Sequence, residues 1–271
     1  GGVITSGLRT EDRTMRLDFD RGKEIGLYLA EGSFDDHMTL QIANVADGVH
    51  EFLDARGYNV YERTCNKGFR PYARFLEAEF GSGSAGKRIP GWAFDTPAPF
   101  RAGLLSGYFD GDGTVGDSEV TATSKSGPLL EGIRELLRQF GVSTTLRETF
   151  TRYDGEKRTY RRLIVDSASV ERFAEVVDLS VASKAEQLCE LCEYLKRGDS
   201  YESKDMIPNF GPVLNTAAKE AGWTSRETYQ RLLDELDVEG RARQFGESDV
   251  QWKRVVSVEP IEGERTVYDL D

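Results

Sequence analysis

The chain has 271 residues, 47 acidic and 35 basic, for a formal net charge of −12. That length supports a substantial core and one to three domains. It contains no apolar run long enough to span a bilayer, no signal-peptide pattern and only three cysteines, so neither a membrane protein nor a disulfide scaffold is expected and a cytoplasmic setting is.

The acidic balance argues against nucleic-acid binding by default. Long-range charge is screened in a salt-rich cytoplasm, however, and arginines outnumber lysines 25 to 10, so local charge is the better guide.

Residues 1–20 are polar and mixed in charge and read as a linker or the trimmed end of another segment. From about Arg21 to Glu31 the spacing predicts a helix with Gly22, Gly26 and Ala30 on one face. Ser33 to Ala46 reads as extended, with Met38, Leu40 and Ile42 alternating, and Asp47 to Tyr58 as a helix stopped at Gly57. Asn59 to Thr64 and Phe69 to Ala73 read as a hairpin around Asn66-Lys67-Gly68, and Arg74 to Phe80 as a short helix. Gly81 to Gly86 is expected to be a flexible loop that delivers Lys87-Arg88-Ile89-Pro90.

The stretch from Arg101 to Thr114 organises the rest. Gly103, Gly107 and Gly111 recur every four residues, which makes a helix face without side chains. Each interior Gly costs about 1 kcal/mol relative to Ala, so the stripe makes sense where another backbone comes very close. The partner is in the sequence: Gly22, Gly26, Ala30, Glu31 and Gly32 match Gly103, Gly107, Gly111, Asp112 and Gly113 at a constant offset of 81. Two such helices packed row on row bring Glu31 and Asp112 together at their C-terminal tips. A helix dipole opposes a carboxylate there, and a bound cation would offset it.

The second half repeats the plan of the first. Glu131 to Val142 aligns with Asp47 to Tyr58 at an offset of 84, a hairpin turns at Asp154-Gly155, and a helix from Ser169 to Val177 leads to Lys184, which sits where Lys87 sits. Ala185 to Arg197 reads as a helix, as do Gly211 to Ala221 and Ser225 to Leu236; Val250 to Leu270 reads as a β-hairpin outside both repeats. The expected boundaries are a linker at 1–20, two halves at 21–98 and 99–200, a helical region at 201–249 and the hairpin at 250–271.

Two converging acids suit Mg²⁺, a hard cation that keeps several waters and supports phosphodiester hydrolysis. Lysines at matched positions, Lys87 and Lys184, can stabilise charge developing on a phosphate. Local basic charge lies in the hairpins: Arg147, Arg152, Lys157, Arg158, Arg161 and Arg162 with Tyr153 and Tyr160 interleaved, and in the first half Arg63, Lys67 and Arg70. A two-stranded ribbon fits the major groove, where Arg pairs with guanine. Cys189-x-x-Cys192 lacks further zinc ligands at suitable spacing and reads as packing, and His50 reads as structural.

Leu105-Ser106-Gly107-Tyr108-Phe109-Asp110-Gly111-Asp112-Gly113 resembles the second signature of a two-motif, DOD-type LAGLIDADG homing endonuclease, and Glu24-Ile25-Gly26-Leu27-Tyr28-Leu29-Ala30-Glu31-Gly32 resembles the first. Glu31 stands where Asp is more usual. The likeness implies an α+β protein of two pseudo-symmetric αββαββα-like halves, saddle-shaped sheets on double-stranded DNA, and cleavage of both strands by a monomer with Mg²⁺, or Mn²⁺ in its place. By the same likeness Glu31 and Asp112 are metal ligands, and Lys87, within K-x-I-P, and Lys184 are active-site lysines. Trp252 to Val258 with Val267-Tyr268-Asp269-Leu270 is similar to a conserved intein block, which implies a splicing-domain (Hint) hairpin and an endonuclease embedded in a host protein before splicing. The family's N-terminal nucleophile block and terminal His-Asn pair are not recognisable here. The acidic, arginine-biased composition resembles that of proteins from salt-loving archaea. The alternatives are a related fold that binds DNA or RNA without cutting, and a passenger of a splicing module.

Overall fold

The computed structural model describes residues 7–10, 13–44, 46–153, 156–196, 206–208, 223–235, 237, 239–248, 250, 258 and 260. It divides into two units, residues 1–200 and 201–271.

In the first unit one element order occurs twice. Helix α1 (Phe19–Glu31) is followed by β3 (Gly32–Phe34), β4 (Leu40–Ile42), α2 (Asp47–Ala55), β5 (Asn59–Val60), β6 (Cys65–Lys67) and α3 (Arg70–Phe80). After a one-turn helix α4 (Gly83–Gly86), helix α5 (Ala98–Gly111) is followed by β7 (Gly113–Val115), β8 (Val120–Ser124), α6 (Gly127–Gln139), β9 (Thr144–Tyr153), β10 (Glu156–Val165) and α7 (Val170–Val176), with α8 (Ala182–Lys196) completing the unit. Each half is thus αββαββα. The two antiparallel sheets have matching strand orders, β3-β4-β6-β5 and β7-β8-β10-β9.

Helices α1 and α5 are the centre of the unit. Asp18 caps α1 by accepting from Arg21 N at 2.9 Å. Residues Gly22 to Leu29 are all buried, as are Gly103 to Asp110. A helix buried all round has no amphipathic stripe, and its four-residue glycine row is what allows a second backbone to lie against it. A Cβ at Gly26 would stand 2.7 Å from Tyr108 N, and one at Gly107 2.8 Å from Leu27 N.

Two buried acids sit on the pair. Glu24, fully buried, is surrounded by Arg21 at 2.5 Å, Arg56 at 3.4 Å and Lys67 at 3.6 Å, and accepts from Tyr58 Oη at 2.7 Å. Asp110, 1% exposed, lies 3.2 Å from Lys23 Nζ across the helix interface.

The structure departs from the sequence expectation in several places. Within the segment expected to be a linker, β1 (Gly7–Thr10) pairs antiparallel with β2 (Arg13–Arg16), and Met15 and Leu17 join the core. Met38 lies in a turn with φ of 59° rather than in a strand, because Asp35 Oδ1 accepts from His37 N and Thr39 N and closes the loop. The hairpin expected around Lys67 turns instead at 61–64, where Tyr61 N donates to Thr64 O at 2.9 Å. Cys65–Lys67 is itself the strand, and Pro71 in the first turn starts α3 at Arg70, four residues earlier than expected. Helices α2 and α6 end alike, at Gly57 and Gly141 with φ of 78° each, but α6 has 13 residues against 9, one extra turn at its N-terminus.

In the second unit, β11 (Met206–Pro208) pairs with β12 (Trp223–Ser225), and α9 (Arg226–Glu235) packs on α10 (Arg241–Glu247) through Tyr229, Leu233, Ala242 and Phe245. The helix expected at Gly211 to Ala221 and most of the hairpin expected at Val250 to Leu270 lie outside the described residues. Among the described residues, no helix is long and apolar enough to cross a membrane.

Candidate active site

The close approach of α1 and α5 places their C-terminal ends side by side. Glu31 is the last residue of α1, Asp112 is the C-cap of α5, and a Cβ added at Gly111 would be 3.2 Å from Glu31 Cγ. The last carbonyls of a helix have no partner within it and carry its negative end, so two such ends beside two carboxylates concentrate negative charge.

Two lysines answer that charge. Lys87, buried, follows α4 and donates from Nζ to Tyr28 O and Gly32 O, both at 2.8 Å. Lys184, in the first turn of α8, donates to Phe109 O, Asp110 O and Gly111 O at 3.1, 2.6 and 3.0 Å. Each lysine therefore caps one motif helix. Electrostatically the pattern crosses over: the strongest cationic influence on Asp112 is Lys87, the cap of α1, and on Glu31 it is Lys184, the cap of α5.

Burial dominates the titration of all four groups. It pushes the Asp112 carboxyl up to about 6, with Lys87 opposing and Glu31 reinforcing the shift. It raises Glu31 as well, against Lys184 and a hydrogen bond from the Asn44 side chain. Burial pushes the Lys87 ammonium down to about 8 and lowers Lys184, in each case against the nearby carboxylates. The lysines thus leave the two acids incompletely compensated. That donor set, two carboxylates at adjacent helix ends that feel each other's charge, fits a hard divalent cation. Among the described residues no group of three or more His, Cys, Asp or Glu converges, so water and substrate oxygens would complete a coordination shell.

The seat of Asp112 is fixed by a reciprocal cap. Asp110 Oδ1 accepts from Ser180 N at 2.8 Å and Val181 N at 3.1 Å, just ahead of α8, while Lys184 of α8 reaches back to the end of α5. Lys23 Nζ also donates to Asp178 O at 2.8 Å, and Asp178 N donates to Ser106 Oγ at 2.9 Å. The segment 178–181 is therefore tied to both motif helices. None of Lys23, Asp110 or Asn44 is singled out by sequence reasoning; their partners are remote in the chain. Unequal residues at matched repeat positions, Lys23 with Leu104 and Leu29 with Asp110, were the available signal.

The register sorts the expected DNA-binding residues. In β10, Leu163 and Val165 face the core, so Arg158, Tyr160 and Arg162 share the outer face, opposite Thr151, Thr149 and Arg147 of β9. Arg161 is on the other face, opposite Glu148 with an N–O distance of 3.8 Å, and Arg152 and Lys157 are opposite each other in register. Arg162 pairs with Glu119. In the first half Arg63 is exposed in the 61–64 turn and Arg70 Nε donates to His37 O at 3.2 Å. Lys67 departs from expectation. Its ammonium donates to Arg56 O at 2.7 Å, lies 3.6 Å from Glu24 and sits over the Tyr58 ring, so it is committed inside the half rather than to an outer face. Among the described residues the exposed Cys189 and half-buried Cys192 gather no metal set, and His50 meets Asn44 O at 2.7 Å.

Residues 99–178 match the family model of the LAGLIDADG-like domain. The first half repeats the element order of that segment and supplies the partner glycine row. DNA-directed RNA polymerase subunit Rpo1C of Methanocaldococcus jannaschii is 31% identical over 300 aligned positions, covering 94% of this chain and 34% of that protein. Elongation factor 2 of Methanopyrus kandleri is 32% identical over 216 positions, covering 73% of this chain and 17% of that protein. A DNA polymerase of Thermococcus hydrothermalis is 34% identical over 124 positions, 44% of this chain and 7% of that protein. The chain thus spans about a third or less of these relatives. The crystal structure of the homing endonuclease I-DmoI in complex with DNA and Mn overlays on 60% of the chain with a TM-score of 0.42 at 12% identity.

Proposed function

We propose that this chain is the endonuclease part of an intein and makes a site-specific double-strand cut in DNA. The observation that carries the reading is the meeting of Glu31 and Asp112 at paired helix tips, with raised carboxyl pKa values and lysine-capped helix ends. The relatives support the intein context. An RNA polymerase subunit, a translation factor and a DNA polymerase share no common task, yet each resembles this chain over a part of its own length. An inserted, transferable segment accounts for that pattern.

Glu31 and Asp112 would hold the divalent cation, Mg²⁺ in our reading, which when bound activates water and neutralises charge on the phosphate. Lys87 and Lys184 act as positioning residues: by capping the helix ends they keep the carbonyl dipoles from opposing the carboxylates and hold the two tips together. The outer face of the second sheet, with Arg147, Arg158 and Arg162, would follow the DNA backbone and grooves. Both halves lie in one chain, so the helix pair is complete in a monomer.

The test is incubation with plasmids carrying uninterrupted genes for the three host types, with Mg²⁺ and at several salt concentrations. One of them should be linearised. Asp112→Asn should abolish cutting while the plasmid is still bound in a gel-shift measurement. A chain that binds none of them, or an Asp112→Asn variant that cuts at the original rate, would overturn the reading.

A further inference from the structure

A cavity of roughly 350 Å³ opens beside Asp112, walled by Lys87, Ser84, Lys125 and, from the second sheet, Thr123 and Tyr160. Three lysines are therefore close to this acid in space or charge, and they are not equivalent. Lys184 gives all three ammonium hydrogens to backbone carbonyls, and Lys87 gives two of three. An ammonium bound in that way cannot re-aim as charge shifts from one phosphate oxygen to another.

Lys125 differs in each respect. It is exposed, it follows β8 directly, and among the described residues it has no hydrogen bond or ion pair. Its backbone is nevertheless held. Ser126, the next residue, caps α6 by accepting from Leu129 N at 3.2 Å and donates from Oγ to Lys87 O at 2.6 Å. A fixed Cα with an exposed, uncommitted lysine side chain lining the cavity is the arrangement that an incoming phosphate needs. The other half has no counterpart. Gly32 pairs with Ile42 and Gly113 with Ala122, a strand offset of 80, and at that offset from Lys125 the sequence carries Val45, which has no charge to offer.

We propose that Lys125 contacts the phosphate cleaved beside Asp112 and that the two strand cuts are therefore unequal, the strand beside Lys125 being cut first. This rests on the endonuclease reading above.

The experiment follows each strand separately on an end-labelled duplex cut from the plasmid that the unmodified chain linearises, at saturating protein with Mg²⁺. Lys125→Met should slow one strand about tenfold or more and leave the other within about twofold, so that nicked product accumulates; Lys125→Arg should restore most of the lost rate. Duplex affinity and melting temperature should stay those of the unmodified chain, which separates a phosphate contact from a fold defect. Equal slowing of both strands, no slowing, or failure of Arg to rescue would overturn the proposal while the endonuclease reading stands. An unmodified chain that cuts none of the plasmids would overturn both.

Discussion

Replacing Gly107 by Ala tests the foundation of the site, because nothing but one methyl group is added. In free helices the change is favourable by about 1 kcal/mol. Here the new Cβ would meet backbone: Leu27 N at 2.8 Å, Lys23 C at 2.9 Å and the Lys23 carbonyl oxygen nearer still. Backbone cannot swing aside as a side chain can, so the helices must part by roughly 0.5–1 Å to restore ordinary contact, and a gap of that size forfeits a quarter to a half of each contact across the interface. The loss falls on fully buried neighbours, Leu27, Leu104 and Tyr108 among them. A net destabilisation of about 3–5 kcal/mol is expected, above the usual range for an overpacked core because backbone is the obstacle. Urea denaturation followed by tryptophan fluorescence measures it. The control is Gly127→Ala, at the first position of α6, where the nearest atom to a new Cβ is Arg161 Cγ at 3.9 Å; it should be neutral or gain up to about 1 kcal/mol. A Gly107→Ala protein as stable as the unmodified chain would mean that the helices are not in backbone contact, and the convergence of Glu31 and Asp112 would lose its cause.

Other outcomes follow from the charges. With Asp112 held at about 6, above its ordinary 3.8, the folded chain keeps a proton that the unfolded chain has lost. This group's contribution to metal-free stability is therefore full below about pH 4 and is lost as pH rises through about 6. Asp112→Asn should remove that part of the pH dependence, and Mg²⁺ should raise the melting temperature more at about pH 7.5 than at about pH 5, since metal and proton compete. Lys23→Leu should cost about 3–5 kcal/mol in chemical denaturation by leaving Asp110 buried without its cation; a loss under about 0.5 kcal/mol would show that the pair carries no such role. Arg147→Ala with Arg158→Ala, which share the outer face, should reduce the slope of log affinity against log salt by about 1.8, whereas Arg161→Ala on the opposite face should leave it near its original value.

The parts of this structure that repeat, or that alternate with a fixed period, were legible in the sequence. The glycine rows predict the α1–α5 contact, the offset of 81 predicts the meeting of Glu31 and Asp112, and the long β9–β10 pair flanks the two residues where a turn is expected. What was not legible depends on contacts between residues far apart. Lys67 looked like the tip of a basic hairpin, but its strand register turns the ammonium toward a carboxylate 43 positions earlier, Glu24. The arginines of β9 and β10 read as one basic cluster until the pairing register placed Arg158 and Arg161 on opposite faces. The lysines of the site were expected to face a phosphate; helix ends left without partners claim their hydrogens first. In each case a buried group that must be satisfied decided where the side chain went.

Duplicate halves raise a problem of specificity that these charges address. Helices with matching rows of small residues could pair with copies of themselves as readily as with each other. At one position of the interface, however, the symmetry is broken: Lys23 of α1 meets Asp110 of α5, while the residues matched to them at the offset of 81, Leu104 and Leu29, are both apolar and buried. Two first halves placed together would set each Lys23 against a leucine position, and two second halves would do the same to each Asp110. An uncompensated buried charge costs several kcal/mol, so both self-pairings are penalised and only the mixed pair satisfies the lysine and the acid together. The same Asp110 also holds the start of α8 and so the lysine that caps α5. Correct pairing of the halves and correct placement of the acid at the tip are therefore secured by one carboxylate, two residues before Asp112.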